Sequence, residues 1–167
     1  MAYSLQTHLA YNAWANEKIA GVLRTTTDEI FFRQTGSSFS SIAETVKHIW
    51  GAQFIWLMRL QGKSLREWPT NNLGAVKEKL VEGLIQSSAD LVVFISSFDQ
   101  MRLSELYAYT NMKGDPFRDS YEETLYHVVN HSTYHRGQII TMLRQSGVED
   151  VVGTDLIHYL RLQKNTE

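Results

Sequence analysis

Apolar residues recur at helical intervals along most of the chain, and in the stretch opened by Ser120-Tyr-Glu-Glu123 they do so without a break. At 100° per residue, Val129, Ile139 and Leu143 all fall within about 40° of Leu125, which marks one buried face. The serine hydroxyl and the glutamate form a capping box that satisfies free amides of the first turn. Gly147 can take the left-handed conformation that closes such a helix. The pattern predicts a helix over about 121–145.

Similar stripes predict three further long helices. The first runs over about 4–24, on Leu5, Leu9, Ala13, Asn16, Ala20 and Leu23. The second begins at another box-like signal, Ser41-Ile-Ala-Glu44, and reaches about Gln61, on Ile42, Val46, Ile49, Trp50, Leu57 and Leu60. The third spans about 75–98, on Val76, Leu80, Leu84, Leu91 and Ile95. The segments 25–40 and 69–74 read as loops, and Lys113-Gly-Asp-Pro116 is a turn signal that suggests a small hairpin within 101–119. A short helix over about 154–162 ends the list. Four long amphipathic helices without alternating strands predict an all-α fold, an up-and-down four-helix bundle with a short extra C-terminal helix.

Composition narrows the functional classes. The 167 residues show no shift or repeat, so one domain over 1–167 is expected. Sixteen basic against eighteen acidic residues give a net charge of -2. That balance argues against nucleic acid or an anionic membrane as a partner, since both require an excess of cations. No apolar run approaches the roughly 20 residues of a membrane span, and the N-terminus lacks the regions of a secretory signal. A cytoplasmic location is expected. The absence of cysteine excludes disulfides, thiolate metal sites and cysteine nucleophiles.

Histidine is left to carry the chemistry. Of six, three stand four apart in His127-Val-Val-Asn-His131-Ser-Thr-Tyr-His135. Residues at that spacing share a helix face with Cβ atoms about 5–6 Å apart, so two imidazoles can meet one cation at about 2.0–2.1 Å. One such pair arises by chance in roughly one chain in five, but three in a row in under about one in a hundred. On the helical wheel His135 lies about 80° from the apolar stripe, His131 about 120° and His127 about 160°. His131 and His135 are therefore better placed at a cavity edge than His127. Two imidazoles leave a metal under-coordinated, and periodicity does not choose the third. His48 falls off its helix stripe, near Glu44 and Lys47, while His8 and His158 are equally open. Arg136, about 20° from the stripe centre, is expected to meet a carboxylate or helix end inside the bundle. Trp14, Trp50 and Trp56 read as core.

The run Leu125-Tyr-His-Val-Val-Asn-His-Ser-Thr-Tyr-His-Arg-Gly-Gln138 resembles the signature of the DinB/YfiT-like superfamily of metal-dependent enzymes. Tyr11-Asn-Ala-Trp14-Ala-Asn16, Ser41-Ile-Ala-Glu44-Thr-Val-Lys-His48 and Trp56-Leu-Met-Arg-Leu-Gln-Gly62 resemble its first- and second-helix signatures. The resemblance covers nearly the whole chain. It implies a four-helix bundle, commonly dimeric, that binds a divalent metal ion, zinc or nickel, through His48, His131 and His135. It places His48 on a flank that faces a polar cavity of the bundle.

Three protein ligands with open positions are the arrangement of a catalytic metal rather than a structural one. By the same resemblance, the expected activity is a metal-dependent thiol S-transferase joining a low-molecular-weight thiol to small electrophiles, with a homodimer as the assembly. Hydrolysis of a small amide or ester by activated water is the alternative reaction, and a non-catalytic, metal-stabilised dimeric stress-response bundle the alternative class. No general acid or base is marked, although His127, one turn before His131, could serve as a proton carrier.

Overall fold

Side-chain caps set where the helices begin. Ser4, Thr27, Ser41, Asp99 and Ser120 each accept a hydrogen bond from an amide in the turn that follows. The computed structural model describes residues 3–36, 38–71, 73–74 and 76–165. Along these run α1 (Leu5–Thr25), α2 (Asp28–Phe32), α3 (Ile42–Leu60), α4 (Lys77–Ile95), α5 (Gln100–Leu103), β1 (Leu106–Thr110), β2 (Pro116–Ser120), α6 (Tyr121–Gln145) and α7 (Leu156–Lys164). Ala75, the start expected for the third long helix, lies outside the described residues, as do Met1 and Ala2. That helix ends at Ile95, short of the expected Phe98.

The two box-like signals behave differently. At α6 both halves form, since Ser120 caps the Glu123 amide and the Glu123 carboxylate accepts from the Ser120 amide. At α3 only the serine half forms, because the Glu44 carboxylate pairs with Lys47 at 2.8 Å instead. Gly147, at φ 83°, takes the left-handed turn after α6. The expected loop after α1 contains α2, which buries Phe31 completely. The expected hairpin forms as an antiparallel pair, Leu106 opposite Ser120 through Thr110 opposite Pro116.

The fold is an all-α bundle with this two-stranded appendage. α1 and α3 are diagonal to each other, each packing against both α4 and α6. One core cluster joins Leu9, Leu60, Leu91 and Leu125, and the other joins Leu23, Ile42, Leu80 and Leu143. These memberships fix the chain directions: α1 and α6 run one way, α3 and α4 the other. The bundle therefore departs from strict alternation at α3 and α4. The sixteen residues between α3 and α4 cover the return, and within them Trp68 and Thr70 lie back alongside α3. Fully extended this segment could span about 50 Å, against roughly 28 Å for the 19-residue α3. Among the described residues no helix is long and apolar enough to cross a membrane.

Between the two apolar clusters lies a buried polar layer. Arg136, 1% exposed, donates from Nη1 to the Asn12 and Asn16 side-chain oxygens at 2.6 and 2.9 Å. Its Nη2 donates to the Thr133 hydroxyl at 2.7 Å and reaches the Tyr11 hydroxyl at 3.5 Å. The asparagine amides pass the network on, Asn12 to Gln53 Oε1 at 2.8 Å and Asn16 to the Ser88 hydroxyl at 2.7 Å. Gln53 in turn donates to the Ser87 hydroxyl at 2.9 Å. The sequence expectation for Arg136 is corrected here. Among the described residues its partners are neutral side-chain oxygens, most of them on α1, and neither a carboxylate nor a helix end.

Losing the guanidinium would strand the Asn12 and Asn16 oxygens in the interior, at about 1–3 kcal/mol each. R136M is expected to lower the unfolding free energy by about 3 kcal/mol in urea denaturation, with the helical spectrum of the folded state retained.

Candidate metal centre

Because successive helical residues are 100° apart, turning Arg136 toward α1 turns its neighbour His135 toward the adjacent helix, α3. His131 lies one turn earlier on that same face. On antiparallel α3, His48 stands opposite both. The three rings converge: His48 Nε2 is 2.9 Å from His131 Nε2, which is 3.2 Å from His135 Nε2. One nitrogen of each ring lies within 4.8 Å of the others, and these three residues could hold a metal ion. A tetrahedral cation with bonds of about 2.0–2.1 Å places its ligand nitrogens about 3.3 Å apart. The separations of His131 from His48 and from His135 are close to that spacing.

The surroundings hold the rings in place. His135 donates from Nδ1–H to Gln138 Oε1 at 2.7 Å, which leaves its Nε2 lone pair facing the cluster. Gln138 is itself tied through Nε2 to the Ser38 hydroxyl at 3.2 Å. Phe39 stacks on His48 at 4.3 Å between ring centres and meets the edge of His135 at 5.4 Å. Trp68, from the return segment, stacks on the His48 ring at 5.4 Å and 11°. Gly51 makes room for it, since a Cβ there would lie 2.6 Å from the indole. A pocket of about 160 Å³ opens beside His48, lined by Phe39, Trp68, Lys47 and Thr70 among others.

Electrostatics favour neutral rings. Burial, with a smaller contribution from His135, lowers the His48 pKa from 6.5 to about 4. Burial and then His135, His48 and His127 lower that of His131 to about 3. Burial also lowers His135, partly opposed by its hydrogen bond to Gln138. No carboxylate joins the cluster among the described residues. The site thus offers unprotonated nitrogen donors at neutral pH without proton release.

The other histidines lie elsewhere. His127 is exposed, its ring 5.9 Å from that of His131 and 5.3 Å from Trp56. His8 is hydrogen-bonded to the Tyr3 hydroxyl and packs on Tyr11 and Tyr126, and His158 packs on Trp14. Of the three indoles read as core, Trp14 packs on Tyr159 and Trp50 lies over Gly83. Trp56, half-buried like the other two, packs on the same core cluster as Trp14 and stands beside His127. Phe39, Trp68 and Gln138 were not singled out by sequence reasoning. The cues available were the mid-helix Gly51, which marks a close approach, and the i to i+3 spacing of His135 and Gln138.

Comparison with known proteins gives concordant results. A family model described as DinB family matches residues 1–167. Protein DinB of Bacillus subtilis (strain 168) is 31% identical over 162 residues, covering 92% of each chain. The crystal structure of a DinB-like protein from Bacillus cereus ATCC 10987 superposes with a TM-score of 0.62. That likeness covers 84% of this chain and 90% of the other at 20% identity, and it speaks for the fold.

Two outcomes are expected. His131→Ala or His135→Ala abolishes stoichiometric metal by elemental analysis, whereas His127→Ala leaves most of it bound. In metal-stripped protein, the depressed pKa values of His48 and His131 mean that the unfolded chain takes up protons first. Stability is therefore full above about pH 6.5 and declines as pH falls from there toward 4. Melting temperatures across that range should fall, and more shallowly in His131→Gln.

Proposed function

The chain belongs to the DinB family, and on that premise we propose that His48, His131 and His135 hold zinc or nickel in an enzyme that transfers a low-molecular-weight thiol to a small electrophile. The observation that carries this reading is the convergence of three neutral imidazoles with no carboxylate among them. A divalent cation on such a set keeps its full charge, and when bound it lowers the pKa of a thiol or water it coordinates. The donor set suits zinc and nickel, which imidazole binds well.

The protein's own residues do the rest. Gln138 holds the His135 tautomer, so that ring needs no rearrangement to present its lone pair. Phe39 and Trp68 form apolar walls on either flank of His48, which exclude water and suit an uncharged, hydrophobic electrophile. Three protein ligands leave room for a visiting group.

The test is metal-dependent loss of free thiol. Zinc- or nickel-loaded protein should consume glutathione, bacillithiol or mycothiol with monochlorobimane or chlorodinitrobenzene, and His131→Ala should not. Chelation should stop turnover while leaving the helical signal intact. No turnover across the panel, together with metal-dependent cleavage of a simple ester, would replace the transferase by a hydrolase.

A further inference from the structure

Arg59 has a setting that neither the histidine cluster nor the core explains. It is 8% exposed, and its Nε is buried without a partner. Among the described residues none of its nitrogens meets a carboxylate or any other acceptor. What holds it is stacking: its Cζ lies 4.5 Å from the centre of the Trp56 ring and 5.1 Å from that of Tyr109. The Tyr109 ring is fixed in turn, since its hydroxyl donates to Asp119 at 2.7 Å. A guanidinium held by its face keeps its N–H edge for a planar anion. Arg136 shows how this chain treats a buried guanidinium that is purely structural: its two Nη nitrogens are supplied with oxygens, although its Nε, like that of Arg59, is buried without a partner. Arg59, 8% exposed against 1% for Arg136, receives none, an unfavourable state for a group that is always charged.

Its position gives this vacancy a meaning. Arg59 follows His48 by eleven residues, three turns and about 20°, so both stand on one face of α3. They are roughly 16 Å apart along the axis. Between them Trp56 meets His127 at 5.3 Å, and His127 meets His131 at 5.9 Å. A continuous line of rings leads from the guanidinium to the triad.

We propose that Arg59 binds the carboxylate of a small-molecule substrate whose other end reaches the histidine triad, with Trp56 and His127 as the floor between. The identity of the far end rests on the function proposed above; the carboxylate site does not, because it needs no metal. The substrate class is accordingly an acid with its carboxylate several bonds from the reacting group.

The Arg59 Nε–H resonance, identified by its disappearance in R59K, reads this site directly. Hexanoate should move it saturably in zinc-loaded and metal-stripped protein alike, and hexanamide should not. In calorimetry of the zinc-loaded protein, one member of the series 6-mercaptohexanoate, 8-mercaptooctanoate and 11-mercaptoundecanoate should bind about tenfold tighter than its own amide. R59M should lose that preference while binding the amide as the wild type does. R59K keeps the charge without the planar fork and should retain part of the preference, which guards against misfolding of R59M as the cause. An Arg59 signal unmoved by every acid overturns the proposal whatever the metal does. A signal moved by hexanoate, with zinc adding nothing to mercapto-acid binding, upholds the carboxylate site and refutes thiol coordination instead.

Discussion

The structure turns on one cation buried in the middle of the bundle. Among the described residues Arg136 meets no opposite charge; it is held by oxygens from Asn12 and Asn16, one turn apart on α1, and from its own helix at Thr133. Desolvating a guanidinium is expensive, and only a geometry that satisfies most of its donors can offset the cost. That demand sets both the axial register of α6 against α1 and its rotation. A slip of one residue on α6 would move the guanidinium by 100° and break the contacts to both asparagines. The apolar clusters above and below supply most of the burial, but Leu and Ile faces alone tolerate sliding. The polar layer removes that freedom.

Function follows from the same rotation. With Arg136 committed to α1, His135 and His131 face α3, where His48 waits between Phe39 and Trp68. The triad is thus a by-product of how the core is keyed, and the Arg136–Asn12–Asn16 contacts join residues 124 and 120 positions apart. Two of the segments that carry the family resemblance, on α1 and α6, meet at this contact.

Much of the fold was legible in the sequence because helix formation is local. The stripe Leu125, Val129, Ile139 and Leu143 is wholly buried, and the cap at Ser120 and the glycine after α6 act as their residue types suggest. What escaped was non-local. Thr27 caps a helix too short to show a period, and Phe31 anchors it with Ile30 and Phe32 partly buried beside it. The parallel course of α3 and α4 was hidden in the length of the segment between them. At Glu44 a nearby lysine outcompeted the backbone amide, a choice that spacing does not reveal. For the site, the wheel rightly separated exposed His127 from half-buried His131 and buried His135, yet it set His48 off the apolar stripe. The ring does leave that stripe, toward α6 and the aromatic walls rather than into open water.

Three imidazoles from two helices are proposed to hold one cation. The most direct measurement is anomalous diffraction from crystals grown with zinc or nickel, paired with elemental analysis of the same protein. The account predicts one full-occupancy peak about 2.0–2.1 Å from a nitrogen of each of His48, His131 and His135. A peak ligated by His127 in place of His48, or rings turned away from one another with abundant metal present, would contradict it.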